Sequence, residues 1–348
     1  MKLGIGVGYW GMGMGRDEQL AIAREGEALG FDSIWVAEAY GSDAPTVAAT
    51  IAAVTERLEI GTAIMQIPAR SAAMTAMTAA TLDQLSDGRF RLGLGASGPQ
   101  VSEGWHGVRF GKQLARTRDY VSVVRKALAR ERVEYEGETL TLPLPDGPGK
   151  ALKLTIGPVQ ETLPIVLAAM GPKNVELAGE IADGWLPTFF SPEHVAELRA
   201  PLDEGARKAG RDPDDVAIIP QASICVDDDI HAARDQMRWL MSLYIGGMGS
   251  KKKNFYVDLV SRYGFEEEAH AVQELYLAGR KTEAAQYLSA DLIDATCICG
   301  PADHVRRRID AYEEAGAETL ILIPTPTPGG TQIDQVRRIA DLRMAGAR

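Results

Sequence analysis

Residues 58–98 constrain the fold of this chain more than any other stretch. They read LEIGTAIM, then RSAAMTAMTAATLDQLSDG, then RFRLGLGASG. An apolar run stops at Met65, a helix of small residues follows, and a second apolar run stops in glycines. Strands that run in the same direction need such a crossover, and in folds built from it ligands gather beyond the C-terminal strand ends. The polar and glycine-rich residues of this unit collect on that side.

The same alternation runs along the chain. Apolar runs at 3–8, 32–37, 58–65, 90–94, 164–170, 183–187, 216–226 and 319–324 read as strands. Helical spacing follows them, as at 17–29, 44–57, 71–85 and 113–130. The late segment YEEAGAETLILIP echoes the early EGEALGFDSIWVA, each a helix, a glycine turn and a buried strand. The count is eight strands and eight main helices. The expected fold is α/β, an eight-stranded parallel (β/α)8 TIM barrel forming one domain over 1–348; a doubly wound open sheet is the alternative. Two excursions interrupt it. Residues 133–160 hold two extended pieces around PLPDGPG (143–149) and read as a hairpin. Residues 246–295 read as a mostly helical insertion, whose Lys251, Lys252 and Lys253 make an exposed face.

Charge and composition exclude several functions. The formal net charge is −11 over 348 residues, which disfavours nucleic acid and anionic membranes as partners. A phosphorylated ligand stays open, because phosphate sites are local and use backbone N–H groups. No apolar window reaches the roughly 18 residues of a membrane span, and the start of the chain lacks a signal-peptide cleavage pattern. Three cysteines are too few for a disulfide framework. Cys297 and Cys299 lie in an apolar run without nearby histidines and read as buried thiols in a reducing cytoplasm. The five histidines show no metal spacing, so no metal is expected.

Candidate site residues sit at the strand ends. Glu38 and Tyr40 follow the second strand; a carboxylate there either positions a ring or relays a proton, or caps a helix or holds a salt bridge. GTAIM (61–65) ends the third strand and reads as core. GLGASGPQ (93–100) offers a flexible backbone with Ser97, Gly98 and Gln100. It is not a dinucleotide fingerprint, since Pro99 follows and the next helix is expected only at 113. Glu103, Trp105 and His106 continue this loop and either line a pocket or face solvent. AAMGPKN (168–174) carries the strongest signal. Pro172 suits a first helical position, and the N–H groups of Met170, Gly171 and Lys173 converge at a terminus able to hold phosphate. An ordinary strand-to-helix turn is the alternative there.

FDSIWVAEAYGSDA, IGTAIMQIPAR, TAATLDQLSDGRFRLGLGASGP, PIVLAAMGPKNVELAGEIADGWLP and GPADHVRRRIDAYEEAGAETLIL, in this order, resemble the luciferase-like monooxygenase superfamily. They look closest to its branch that uses the deazaflavin coenzyme F-420 (F420), which includes methylenetetrahydromethanopterin reductase. The resemblance implies a tricyclic ring at the C-terminal mouth of the barrel, backed by a cis non-proline peptide at Ala63-Ile64. It implies phosphate contacts at Ala169, Met170 and Gly171, with Lys173 adding charge, and ring-edge contacts near Glu38 and along Ser97, Gly98 and Gln100. Several relatives carry an acid–histidine pair after the second strand; here it reads Glu38-Ala39, so the histidine base is absent and Glu38 or Tyr40 would handle protons.

The activity so implied is hydride transfer between the deazaflavin and a small organic substrate. The alternatives are an FMN-dependent monooxygenase, a non-catalytic carrier of the coenzyme, or a sugar-phosphate barrel enzyme that would need a late-strand lysine. Tyr9, Trp10, Tyr40, Trp105, Phe189 and Phe190 are expected to supply an apolar pocket. Barrels of this family often pair, which implies a homodimer.

Overall fold

Each apolar run folds as a strand and hands the chain to a helix or loop. In chain order these are β1 (Lys2–Val7), α1 (Arg16–Ala28), β2 (Ser33–Val36), α2 (Ala44–Ala52), β3 (Glu59–Thr62), β4 (Met65–Gln66), α3 (Ala72–Leu85), β5 (Phe90–Gly95), α4 (Pro99–Gly104) and α5 (Gln113–Leu128). A hairpin of β6 (Tyr135–Glu136) and β7 (Thr141–Leu142) precedes β8 (Ile165–Leu167), α6 (Pro172–Ile181), β9 (Gly184–Trp185), α7 (Val195–Lys208), β10 (Ala217–Ile218) and β11 (Gln221–Val226). Then come α8 (Ile230–Gly247), α9 (Phe255–Val260), α10 (Glu266–Leu277), α11 (Lys281–Tyr287), α12 (Ala290–Thr296), β12 (Ile298–Gly300), α13 (Ala302–Glu314), β13 (Thr319–Pro324) and α14 (Gln332–Gly346). The computed structural model describes residues 1–10, 14–248 and 254–346. Lys251, Lys252 and Lys253 lie outside the described residues.

The strands form one parallel sheet in the order β10-β9-β8-β5-β3-β2-β1-β13-β11-β12, with β4 beside β5. The sheet curls until its two sides share a single stretch of chain. Ala217 and Ile218 lie in register with Gly184 and Trp185, and the Ile219 N–H donates to the Trp185 carbonyl at 2.8 Å. From Gln221 onward the chain pairs with β13 instead, starting at Ile321. Pro220 stands at the handover; it has no N–H to offer the sheet, and its carbonyl accepts from Ile321 N–H at 2.8 Å. The result is an α/β fold with a curled parallel sheet of the TIM-barrel kind.

Several local expectations need correction. The run 58–65 is not one strand: it breaks after Thr62 and resumes at Met65. The run 216–226 breaks at Ile219 and Pro220 for the reason just given. Residues 298–300 add a parallel strand beside β11, with Cys225 and Cys299 opposed in register. A helix begins directly at Pro99, with Gly98 as its N-cap, where a long loop was expected; proline at the first helical position has no N–H to lose and a suitable φ. The hairpin turns through residues 137–140 rather than 143–149, and an outer bridge from Arg132 to Lys153 brackets the excursion.

The interior of the curled sheet explains the glycine pattern. Trp35, Val166, Leu186, Ile219 and Ile321 form a buried cluster inside it. The Trp35 indole needs room from both neighbouring strands, and glycine supplies it. A Cβ at Gly61 would lie 2.2 Å from the Trp35 ring, and one at Gly4 would lie 2.6 Å from Ser33 Oγ, which accepts the Trp35 Nε1 hydrogen bond at 2.9 Å. At the N-terminal end of the strands Arg91 Nε lies 2.8 Å from Glu59, and the Arg91 fork lies 3.2 Å from Glu318. Lys2 joins Glu59 at 2.9 Å. Ion pairs at that end of a barrel serve stability; chemistry belongs at the opposite rim.

Candidate active site

The floor of the site is made at the break in the third apolar run. Thr62 Oγ1 donates to the Gly93 carbonyl and accepts from the Gly93 N–H, both at 2.9 Å. The Ala63-Ile64 peptide is cis, the geometry the family resemblance implies. Ile64 then lies over Gly95, where a Cβ would be 2.3 Å from Ile64 Cδ1. Ala63, Ile64 and Ala168 cap the buried cluster around Trp35. The floor is therefore small, apolar and without charge.

Glu38 stands at the edge of this floor with its side chain 5% exposed. Arg70 grips it with both terminal nitrogens, at 2.8 Å to Oε1 and 2.7 Å to Oε2. The Ala44 N–H, opening α2, donates to Oε2 at 3.0 Å, and the Gln66 N–H donates to Oε1 at 3.2 Å. Both oxygens are thus engaged twice. Of the two readings given to Glu38, the geometry matches the helix-capping, salt-bridged one. Each carboxylate oxygen already accepts two hydrogen bonds, which favours the capping role over the proton-relay one. Burial alone would lower the Arg70 pKa, but the hydrogen bonds and charge of Glu38 outweigh it and hold it above the ordinary value. Tyr40, by contrast, is 56% exposed, with its ring centroid 6.3 Å from that of Tyr9.

Gln66 escaped the sequence reading. Its Nε2 donates to the Ala39 carbonyl at 2.6 Å, and its Oε1 accepts from Ser97 Oγ at 2.8 Å. It ties the loops after β2 and β5 across the floor. Ser97 has a φ of +60°, the left-handed region, which a serine holds only under outside constraint. Gly98 and Gln100 start α4, and Gln100 is exposed. The only available signal for Gln66 and Arg70 was that polar residues directly follow an apolar strand end.

The start of α6 has its carbonyls pinned from behind. Trp185 Nε1 donates to the Ala169 carbonyl at 2.8 Å, and Arg262 Nη2 donates to the Met170 carbonyl at 3.2 Å. In a trans peptide the next N–H points opposite to the carbonyl. Met170 N–H and Gly171 N–H are therefore turned away from those two anchors. Gly171 is the N-cap with extended backbone, and a Cβ there would meet nothing within 4 Å. Lys173 is exposed one residue into the helix. Free amides at a helix start, an open space beside them and a nearby lysine suit a phosphate, so these residues fit the phosphorylated coenzyme that the sequence implied.

The aromatic residues divide. Phe189 packs edge-on against Tyr256 at 5.3 Å and against Tyr244 at 5.8 Å, and Tyr244 and Tyr256 lie 4.9 Å apart. Phe190 does not reach the mouth; it is fully buried between Trp185 and Tyr312. Trp10 lies toward α1, donating from Nε1 to Gln19 at 2.6 Å. Trp105 is 67% exposed. Tyr244 lies near the end of α8 and Tyr256 in the helical insertion that follows; neither was among the expected pocket residues. Asn254 holds them together: its Nδ2 donates to the Ile245 carbonyl at 2.6 Å while its Oδ1 accepts from the Tyr256 N–H at 2.9 Å. Among the described residues no group of His, Cys, Asp and Glu is placed to hold a metal ion, and no helix is long and apolar enough to cross a membrane.

A family model for luciferase-like monooxygenases matches residues 4–319. The chain is 43% identical over 349 residues to a Mycobacterium tuberculosis protein named as a coenzyme F420-dependent oxidoreductase, covering 98% of this chain and 99% of that one. It is 28% identical over 302 residues to the 5,10-methylenetetrahydromethanopterin reductase of Methanolobus tindarius, covering 86% and 87% respectively. The solved structure of the coenzyme F420-dependent tetrahydromethanopterin reductase of Methanopyrus kandleri superposes with a TM-score of 0.85 over 100% of this chain and 99% of that chain, at 22% identity. That last likeness concerns the fold.

Proposed function

The chain belongs to the luciferase-like monooxygenase family, and on that premise we propose that it is an F420-dependent oxidoreductase that moves a hydride between the deazaflavin and a small organic substrate. Its relatives carry that coenzyme in their names. The observation that supports the reading most is the start of α6, where Trp185 and Arg262 hold two successive carbonyls and turn the following amides outward.

When bound, the deazaflavin supplies a two-electron hydride chemistry that the side chains cannot perform. This chain's own residues bind, orient and exclude water. Met170, Gly171 and Lys173 receive the phosphate. Ala63, Ile64 and Ala168 make the apolar backing of the ring. Ser97, Gly98 and Gln100 line its edge. Glu38 acts as a positioning residue: with Arg70 it fixes the start of α2 and Gln66, two residues beyond the cis peptide. Ala39 stands where relatives carry a histidine base; with Glu38 paired to Arg70 and Asp43 capping α2, Tyr40 is the group of that loop we assign to proton handling.

We read the sheet as an eightfold closed barrel, with β10 and β11 one strand interrupted at Pro220. We further infer a homodimer acting in the cytoplasm without nucleic acid. Titration of the purified chain with oxidised F420 and with FMN, followed by coenzyme fluorescence, tests the central reading. Deazaflavin binding at least about tenfold tighter than FMN binding (some 1.4 kcal/mol) supports it. Tight FMN binding with weak deazaflavin binding would make the chain a flavin monooxygenase. Tight deazaflavin binding without hydride release to any carbonyl, imine or quinone would make it a carrier.

A further inference from the structure

We propose that the coenzyme's phosphate and the helical insertion are coupled through one peptide unit, Met170–Gly171, with Arg262 as the positioning residue at its carbonyl end. Phosphate on the Gly171 N–H tightens the seating of the insertion, and a seated insertion tightens the hold on phosphate. This rests on the oxidoreductase reading and on the phosphate seat at the start of α6.

A short irregular piece of chain makes the contact. Between α9 and α10, Ser261–Phe265 form a π turn in which Gly264 has a φ of +91°, outside helical space. Such turns inside helices recur at functional sites. Here two consecutive side chains reach the barrel. Arg262 Nη2 donates to the Met170 carbonyl at 3.2 Å, and the Tyr263 hydroxyl donates to the Phe189 carbonyl at 2.9 Å. The His194 ring lies 4.5 Å from that of Tyr263. Phe189 itself has a φ of +51°, and its ring meets Tyr244 and Tyr256. One turn of five residues thus holds the rim at the start of α6 and the rim after β9.

The charge of Arg262 is not spent on a carboxylate. Asp258 and Glu266 stand four positions to either side, the spacing at which a regular helix pairs opposite charges. Among the described residues Arg262 makes no ion pair, and its hydrogen bond goes to the Met170 carbonyl. The broken helical path at Gly264 turns it toward the barrel instead.

That carbonyl belongs to the same planar unit as the Gly171 N–H, and the N–H points away from Arg262. Among the described residues the Gly171 N–H has no acceptor. A cation on the oxygen polarises the peptide and makes its N–H a stronger donor, because hydrogen bonds in a chain reinforce one another. An anion on the N–H makes the oxygen a stronger acceptor by the same route. Arg262 and the phosphate therefore never touch, yet each strengthens the other's bond. Such a coupling is reciprocal: what the insertion gives to coenzyme affinity, the coenzyme returns to the seating of the insertion.

The test measures amide hydrogen exchange over residues 255–265 of the full chain, alone and saturated with F420 or with the deazaflavin that lacks the phosphate and its tail. Fluorescence titration gives the affinity for both ligands. F420 is expected to slow exchange at least about fivefold, and the phosphate-free ligand to leave it unchanged. Arg262→Gln is expected to abolish the slowing and to weaken F420 binding about tenfold, with affinity for the phosphate-free ligand kept. Arg262→Lys keeps the charge and is expected to recover part of the F420 affinity. Lys251, Lys252 and Lys253 lie outside the described residues and are present in every variant, so the comparison isolates Arg262. Slowing that persists in Arg262→Gln overturns the proposal, as does equal slowing by the phosphate-free ligand. An equal loss of both ligands in Arg262→Gln also overturns it, since that marks a purely structural role. A wild-type chain that binds F420 no tighter than the phosphate-free ligand sinks the phosphate seat instead.

Discussion

Arg70 and Glu38 face each other as a fork on a fork, 2.8 and 2.7 Å apart across the two paired contacts, with only 16% and 5% of their side chains exposed. Removing one charge of a buried pair strands the other. Glu38→Gln is expected to cost about 3 kcal/mol of unfolding free energy in urea titration, and to loosen the loop that carries Tyr40. Arg70→Lys keeps the charge but loses the fork and is expected to destabilise as well. An unchanged urea midpoint in both would assign the pair no structural weight.

Gly171→Asp should leave stability nearly unchanged, because its Cβ would enter open space from an ordinary extended backbone. It should weaken F420 affinity at least about tenfold by setting a carboxylate beside the phosphate. Fluorescence titration reads the affinity, and wild-type binding by this variant would place the phosphate elsewhere.

Trp35 fills the interior only because Gly61 yields to it. Gly61→Ala is expected to destabilise by about 1–3 kcal/mol, since the Cβ would fall 2.2 Å from a fully buried ring. Trp35→Phe in the same chain should recover part of that loss. A double mutant no more stable than Gly61→Ala alone would refute the packing account.

The ion pairs at the N-terminal end predict an acid limb. Burial would raise the Glu318 pKa, but Arg91, Thr319 and Lys2 outweigh it and hold it below the ordinary value. A depressed carboxylate stabilises the fold above its unfolded pKa, about 4.3, and that stability is lost as pH falls through the folded value. Thermal melts from neutral pH downward should therefore drop below about pH 4.3, and Glu318→Gln should drop less steeply.

The three cysteines are buried. Burial pushes the Cys225 thiol up to about 11 and Cys297 to about 12. The native chain at about pH 8 should thus leave an aromatic disulfide reagent unconsumed, while the urea-unfolded chain consumes three equivalents. Rapid reaction of the native chain would show that β11 and β12 open readily.

The fold was legible because strand runs and amphipathic helices alternate locally. What was not legible arises from closure. Pro220 interrupts a strand only because that strand changes partners there, and β12 looked like an isolated apolar run. α4 is too short to show a period. At the site, the glycine-capped start of α6 could be placed from its own residues, whereas the cis peptide at Ala63-Ile64 came from the family resemblance, the residues 61–65 alone reading as core. Arg70, Gln66 and Arg262 could not, since each acts on a residue brought near by the barrel, 32, 27 and 92 positions away. Phe190 was misplaced because consecutive aromatics after a strand point to opposite sides.

The Asn254 side chain staples Ile245 to Tyr256 within one short span of chain. The two flanking helices are consequently joined by a contact internal to their own stretch of chain. Selection can alter the tyrosines beside Phe189 there, whereas Arg262, farther along the same insertion, stays tied to the Met170 carbonyl at the seat proposed for the coenzyme.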